Sequence, residues 1–540
     1  MIMRGFGEAL DTAGTSAAVK CVLVALAIAV FAGQAVLFMG SRLDDPYIFA
    51  RYATNLLRFG DVVWNPGEPR IEGFSSWVWL FVYLAGTKSV PDPVVFARVV
   101  GLIAGVGLVV AFGRSVLRSP GSAWPGAAAL VVVSASPDLA FIATSGMDHP
   151  LWSLATWLFL AWLASSERVG ARHACVAALG ILVRPEGFLW FAPLGILLVA
   201  QGAEDRERAL VPRSLRSLAP GLAVLAVLFL ARWLAFDAWL PNAAAAKHAG
   251  GSITIRIVAG LLYCGHAFGL YIAGPLIVFA AVAASGRRLG LRDRDDRLAI
   301  VCLVWVVVLT AFVVAAGGDD VAAFGPARLL TPAVAPAGYL LAWGLRRLPA
   351  PGTEAVRALA VVGILLASRA PVAKDALRAA TGATTISSPS SVLTAWRAGL
   401  QPAPRLPISD YLVRETPAGE AIAVGWVGLV PYQTGLPVID ILGLNDRVIR
   451  NMPATGRVVA GGRDYADEVL RRQPYFICEN FVIRESLAAV SAMGDDALYA
   501  RGAFLPAQRR LLRHPRLASG YRVDLDAPIS GTCLRRKENP

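Results

Sequence analysis

Long apolar runs alternate with short polar loops over the first two thirds of the chain. Candidate spans lie near 20–40, 94–113, 121–142, 149–165, 173–184, 187–201, 217–237, 257–285, 298–316, 328–345 and 356–370. About 20 apolar residues in a helix cross a bilayer, so this spacing predicts a polytopic helical membrane protein. Every second loop is rich in arginine: Arg114 and Arg118; Arg168 and Arg172; Arg206, Arg208, Arg213 and Arg216; Arg287 to Arg297; Arg346, Arg347 and Arg357. Positive charge concentrates on the cytoplasmic side. The alternation therefore predicts about eleven crossings with the N-terminus inside. The run 74–87 is short and breaks this register, so it reads as a juxtamembrane or re-entrant helix. Loops 41–93, 143–148, the Arg184–Gly187 turn, 238–256, 317–327 and everything after about 370 then fall outside.

Beyond Pro371 the pattern changes. No apolar run is long enough to span. Short strand-like runs, AIAVGWV (421–427), PVIDIL (437–442) and YFICEN (475–480), alternate with helical patterns such as Asp464–Arg471. The predicted organisation is a transmembrane module over 1–370 and a soluble extracytoplasmic α/β domain over 371–540, with 381–391 as a Ser/Thr/Pro-rich linker or capping turn. Residues 1–20 lack the h-region and cleavage site of a signal peptide, so the first span is expected to stay as an anchor.

Composition agrees. Of 540 residues, 56% are hydrophobic and 16% charged, too apolar for a soluble protein of this size. The net charge of +13 does not point to nucleic acid, because the arginines sit in loops between apolar runs. Six cysteines show no metal-ligand spacing; only Cys478 and Cys533 lie in the polar tail, where a disulfide and two free thiols are both open.

The polar motifs collect in the loops placed outside. Asp44-Asp45 stands directly after the first span, with Tyr47, Arg51 and Tyr52 following. Two acids beside a bilayer are costly unless they face water, a cation or a substrate; capping a helix is the plain alternative. Ile48, Tyr52, Asn55, Leu56 and Phe59 fall at helical spacing and suggest an amphipathic helix in the interface. Asn65-Pro66-Gly67-Glu68 reads as a turn, and Glu72-Gly73-Phe74 leads into the short aromatic helix. Asp148-His149, Arg184-Pro185-Glu186, Asn242, Lys247, Asp319 and Arg328 complete the set. Asp148 could instead be an N-cap, Arg184 and Glu186 a private ion pair, and Lys247 and Asp319 ordinary loop residues. His149 and His266 read first as structural, and Trp64, Trp77, Trp79 and Trp152 as an interfacial belt. Glycosyl transfer from a lipid phosphate needs a carboxylate, cations for the leaving phosphate and an apolar entrance. Asp44 and Asp45, then Arg184, Lys247 and Arg328, then the helix at 74–87 suit these roles.

The blocks DDPYIFARYATNL, VWNPGE, IEGFSS, TSGMDHPLW, LVRPEG, LPN with AAK, GGDD with AR, and IDILGLND resemble the GT-C superfamily of polyprenyl-phosphate-sugar glycosyltransferases. They are similar to the branch that holds the terminal β-(1→2) arabinofuranosyltransferase of mycobacterial arabinan. The resemblance covers roughly 40–450. It implies a decaprenyl-phosphate sugar donor, an arabinan-like glycan acceptor and a periplasmic soluble domain. Asp44 is then the first catalytic candidate and Asp45 the second. Tyr47, Arg51, Glu72, Asp148, His149, Arg184, Glu186, Asn242, Lys247, Asp319, Arg328, Asp440 and Asp446 fall on the substrate side. Two features depart from the pattern. Asp148 stands where relatives carry Glu, and the first loop is more aromatic, which leaves the sugar open.

The expected protein is a multi-pass plasma-membrane enzyme with its active site outside the cytoplasm. It moves a sugar, D-arabinofuranose first, from decaprenyl phosphate to an envelope glycan. No resident cofactor is expected, no metal site is assigned, and dependence on a divalent cation stays open. The rivals are a hexosyl or mannosyl transferase acting on a glycolipid or protein, and a transporter of lipid-linked sugars. A transporter would favour internal repeats and mid-membrane polar sites, neither of which is visible.

Overall fold

In the computed structural model the described residues are 16–118, 123–204, 210–248, 253–286, 289–319, 327–348, 363, 400–453 and 463–537, with side chains left out at 203–213, 247–248 and 266–270. The candidate span at 356–370, the linker at 381–391, the expected boundary near 370, and the side chains of Lys247, His248 and His266 lie outside this description. The chain forms two compact units. One comprises 1–42, 95–228 and 257–401; the other comprises 43–94, 229–256 and 402–540.

The first unit is helical. Among the described residues four helices are long and apolar enough to cross a membrane: Ala17–Phe38, Pro93–Val116, Ser214–Phe236 and Arg294–Ala316. A fifth span is supplied if the pair Trp124–Ser134 and Pro137–Thr144, bent by 46°, counts as one crossing. Ser136 causes the bend: it caps the second helix by accepting from Leu139 N, and Pro137 takes the first helical position, where no N–H is needed. Other expected spans coincide with shorter helices, such as His149–Ser165, Ala171–Val183, Phe191–Glu204 and Thr331–Arg347, and the one at 257–285 with the helix Ile253–Ala284, which has Pro275 inside it. Large apolar side chains face outward on these helices, Ile103 and Leu262 among them, while Arg98, Asp138 and Asp148 are buried. Apolar outside and charged inside is the membrane arrangement. The protein is a polytopic helical membrane protein with a small sheet in its C-terminal part.

That sheet belongs to the second unit. Its strands are β1 Ile422–Val424, β2 Val438–Asp440, β3 Phe476–Cys478, β4 Tyr521–Asp524 and β5 Cys533–Arg536. The order is β2-β1-β3-β5-β4. β1 runs parallel to β2 and β3, and β5 is antiparallel to β3 and β4. The first three strands fall inside the three runs expected from sequence. Ala423, Ile439, Ile477 and Leu534 pack with Val469, Leu511 and Leu517 into one core. Cys478 and Cys533 are register partners and are joined by a disulfide.

The aromatic run forms the 13-residue helix Trp77–Ser89, capped by Ser76 through Trp79 N. It is too short to span, as its length suggested. The helix Pro46–Phe59 also forms, but not as an amphipathic stripe. Residues 46–53 are buried all round, and only the last turn, with Phe59, is exposed. The difference arises because the soluble segment near 428–445 packs on this helix and consumes its polar side chains, as described next.

Candidate functional site

In the second unit the first-loop acids meet the C-terminal segment. Gly428 N and Leu429 N each donate to one oxygen of Asp44, at 2.7 and 2.7 Å. The Asp44 carboxylate thus caps the helix Leu429–Thr434 from outside its own sequence. Gly428 is required there: a Cβ would lie 1.9 Å from the Asp44 carbonyl oxygen. Burial pushes the Asp44 carboxyl up to about 6, with the charge of Asp45 adding to the rise and the two amides opposing it. The side chain keeps partial exposure, and each oxygen retains a second lone pair. Asp45 occupies the N-cap position of helix Pro46–Phe59 without a side-chain capping bond. Capping therefore does not account for it.

Around this pair the sequence candidates hold backbone. Arg51 donates to Trp64 O at 3.0 Å, Leu436 O at 2.8 Å and Asn65 Oδ1 at 2.9 Å, and also to Pro431 O. Burial lowers its guanidinium to about 10. Tyr47 donates to Asp92. Asn242 donates to Gly443 O and Leu444 O and accepts from Arg450. Asp440 accepts from Leu442 N and from Asn445 through both its backbone and side-chain amides. Burial is the main cause that pushes Asp440 up to about 7; Asp446 adds to the rise and the bonds from Asn445 and Leu442 oppose it. Asp446 caps the short helix Arg447–Arg450 and pairs with Arg472. Glu72 receives Arg232 at 2.7 Å and Trp77 Nε1 at 2.8 Å; burial still raises its carboxyl against both.

The first unit gathers a different set. Arg184 NH1 lies 2.6 Å from Asp148, and its other donors reach Glu186 at 3.1 and 3.2 Å. Asp148 makes no capping bond to the helix it precedes; besides Arg184 it contacts His149 Nδ1 at 3.0 Å. Arg184 is held extended at the end of helix Ala171–Val183, with Pro185 opening a 3-10 turn. That turn folds back so closely that a Cβ on Gly187 would sit 2.0 Å from Gly180. Arg328 pairs with Asp319, and Ala327 N donates to Asp138 at 2.9 Å. Arg184 is thus a three-residue ion cluster rather than a private pair with Glu186. Among the described residues no three His, Cys, Asp or Glu side chains are grouped to hold a metal ion.

Sequence reasoning missed Arg232, Asp138 and Asn445, and read Tyr52 only as a neighbour. Tyr52 donates to Ile71 O and accepts from Gly73 N, with its hydroxyl 3.2 Å from Asn445 Oδ1. Arg232 had a readable signal, a charge set inside the apolar run 217–237 rather than at its end.

Residues 395–524 match a domain of unknown function, DUF8728. No curated protein matches the chain. Among solved structures, ArnT of Cupriavidus metallidurans bound to undecaprenyl phosphate is similar at 14% identity and TM-score 0.46, over 95% of this chain and 97% of that one. Its apo form is similar at TM-score 0.44, 14% identity, over 85% and 89%. The oligosaccharyltransferase of Archaeoglobus fulgidus, solved with zinc and sulfate, gives TM-score 0.45 at 12% identity, over 91% and 70%. Likenesses this distant do not assign a function.

Proposed function

We propose that the chain is a membrane glycosyltransferase that takes a sugar from a polyprenyl-phosphate donor, with decaprenyl-phosphate D-arabinofuranose the first candidate and an envelope glycan such as arabinan the acceptor. The observation that carries the reading is Asp44: a largely buried carboxylate that keeps some exposure, beside a second acid, fixed by two backbone amides and raised to about 6. A general base works best with a pKa near the operating pH. In an inverting transfer Asp44 takes the proton from the acceptor hydroxyl, whose oxygen bonds to C1. The C1–O bond to phosphate breaks, and the polyprenyl phosphate leaves with the electron pair. Asp45 raises the basicity of its neighbour by charge. No resident cofactor is part of the proposal. The disulfide Cys478–Cys533 supports an oxidising, extracytoplasmic setting for the C-terminal part, and with it a plasma-membrane location.

The test offers radiolabelled decaprenyl-phosphate arabinose, mannose and glucose in parallel to membranes that contain the protein. Transfer from the arabinose donor is expected. Asp44→Asn should lower it about 10²–10⁴-fold. Transfer from a hexose donor alone would keep the enzyme class and change the sugar. Transfer from none, or an Asp44→Asn enzyme above about a tenth of wild type, overturns the proposal.

A further inference from the structure

Outside the site at Asp44, the second unit carries a groove of ≈ 600 Å³ lined by Asn480, Val482, Arg484, Glu485, Arg501 and Phe504, among others. Its size falls within the range of ligand sites, about 300–1,000 Å³. The floor is the segment that leaves β3. There Glu479, Phe481 and Ile483 are buried, whereas Asn480, Val482 and Arg484 are exposed. The alternation is that of an extended chain, so the three exposed side chains share one face, at backbone steps of at most about 7 Å. The segment is fixed from both sides. Glu479 N and Ile483 N donate to Thr532 O and Gly531 O at 3.1 and 2.9 Å, and Val482 N donates to Arg501 O at 2.7 Å. The turn at Gly502 supplies the wall. It lies so close that a Cβ there would meet Asn480 O at 2.7 Å. Beyond it Phe504 is 55% exposed and stands edge to face with Tyr499 at 5.0 Å.

The chemistry of the lining narrows its ligand. Three amides of the floor are taken, and Arg484 N donates to the Glu485 carboxylate at 3.1 Å. Few are left for an extended peptide to pair with, so recognition falls to side chains. Arg501 is matched by Glu485, through Nε at 2.9 Å, and by Ala497 O. Arg484 is then the one cation of the lining without a carboxylate among the described residues, too little for a polyanion. What remains is a set of planar polar groups (the Asn480 amide, the Arg484 fork and the Glu485 carboxylate) beside an exposed aromatic ring. A sugar matches them: its hydroxyls donate and accept around the rim, and its C–H face packs on the ring. Asn480 accepts from Trp426 Nε1 at 2.6 Å, and Gly428, two residues further along, donates to Asp44. The groove and the carboxylate thus hold the two ends of one short segment. We infer that the groove is a second glycan site, which holds a neutral polysaccharide acceptor away from its reacting end. This rests on the transferase reading and adds to it a site for the length of the acceptor rather than for the bond that forms.

Full-length protein in nanodiscs, with no donor present, is titrated calorimetrically with a soluble arabinan fragment, a mannan fragment and poly-L-glutamate. One of the two neutral glycans should bind. Arg484→Ala and Phe504→Ala alter exposed side chains and should each weaken that glycan about tenfold, the loss of one charge-assisted hydrogen bond or of one ring face. Arg522→Ala, exposed elsewhere on the same unit, should leave it unchanged. On the wild-type protein the same glycan should shield Arg484 from phenylglyoxal, read by peptide mass spectrometry, and this decides the matter if a variant fails to fold. Binding of neither glycan, binding that both variants leave intact, equal labelling of Arg484 with and without glycan, or poly-L-glutamate held as tightly as the glycan overturns the inference. A protein that binds the glycan here yet transfers no sugar loses the proposed function and keeps the groove. One that transfers sugar while its glycan binding ignores Arg484 and Phe504 loses the groove alone.

Discussion

Arg184 and Arg51 are both buried arginines, and they are satisfied in opposite ways. Arg184, in the membrane-spanning unit, sits between two carboxylates. Arg51, in the other unit, faces three backbone carbonyls and an amide oxygen, with its guanidinium 4.5 Å from the Trp64 ring centre. The same contrast holds for several other candidates, although Glu72 and Asp446 of the second unit pair with Arg232 and Arg472, and Asp138 of the first accepts from the main chain. Asp148, Glu186 and Asp319 answer to arginines, whereas Asp44, Asn65, Asn242 and Asp440 answer to the main chain. Where water is scarce, charge must be cancelled by charge. In the second unit side chains act as main-chain partners that tie the first loop to segments hundreds of residues later, as Asp44 does to Leu429.

The contrast can be broken by substitution. Arg184→Ala leaves the buried Asp148 and the half-buried Glu186 without their cation and should cost about 3–5 kcal/mol, read as thermal unfolding of the detergent-solubilised protein. Arg184→Lys should recover part of that loss, because charge is what the site needs. Arg51→Lys should recover little over Arg51→Ala, because the site needs several N–H groups in a planar fork rather than a point charge. Equal rescue by lysine at the two positions would erase the distinction.

The disulfide comes next in size. Cys478 and Cys533 are 55 residues apart, and closing a loop of that length stabilises a domain by about 2–4 kcal/mol. Cys478→Ser with Cys533→Ser should lower the unfolding temperature of the second unit, while Arg184 variants act on the first. Thiol labelling of the protein in membranes checks the bond itself. Ready labelling of both cysteines without reductant would remove the argument for an oxidising compartment.

Much of this was legible in the sequence. Hydropathy marked the long helices and the short helix Trp77–Ser89, alternation marked β1 to β3, and Asp44-Asp45 stood out as paired acids after a span. Bonds to main chain were not legible, because a backbone amide is the same at every position. Nothing in Gly428 or Leu429 announces a partner at Asp44. The helix Pro46–Phe59 shows the same blindness: its spacing suggested one face on a membrane, yet Arg51 and Tyr52 are buried because carbonyls and Asn445 wait for them. Asp138 was hidden for that reason too, since it accepts from Ala327 N. The cluster at Arg184 was half visible, its Glu186 partner two residues away and its Asp148 partner 36.

The smallest effect is one of pH, and it follows from a carboxylate that has amides and no cation among its bonds. Burial raises Asp440 from an ordinary 3.8 to about 7, so folding takes up a proton in the window between these values. Stability from this group is fully present at the acid end of the window. It is lost as pH rises through about 7, where the folded protein too must ionise. Asp44, raised to about 6, adds a contribution of the same sign over a narrower window. Between pH 5 and pH 8 the second unit should lose roughly 1–3 kcal/mol of stability. Asp440→Asn removes the titration and should flatten the slope, even though its amide meets a backbone N–H badly and lowers stability at every pH. Arg184→Lys should leave the slope as it is, because the acids there are already paired. Unfolding temperatures of the three proteins at half-unit steps of pH read both quantities. A wild-type slope that rises from pH 5 to pH 8, or one that survives Asp440→Asn undiminished, would mean that Asp440 is ionised in the fold at neutral pH and that its amide partners alone hold the charge.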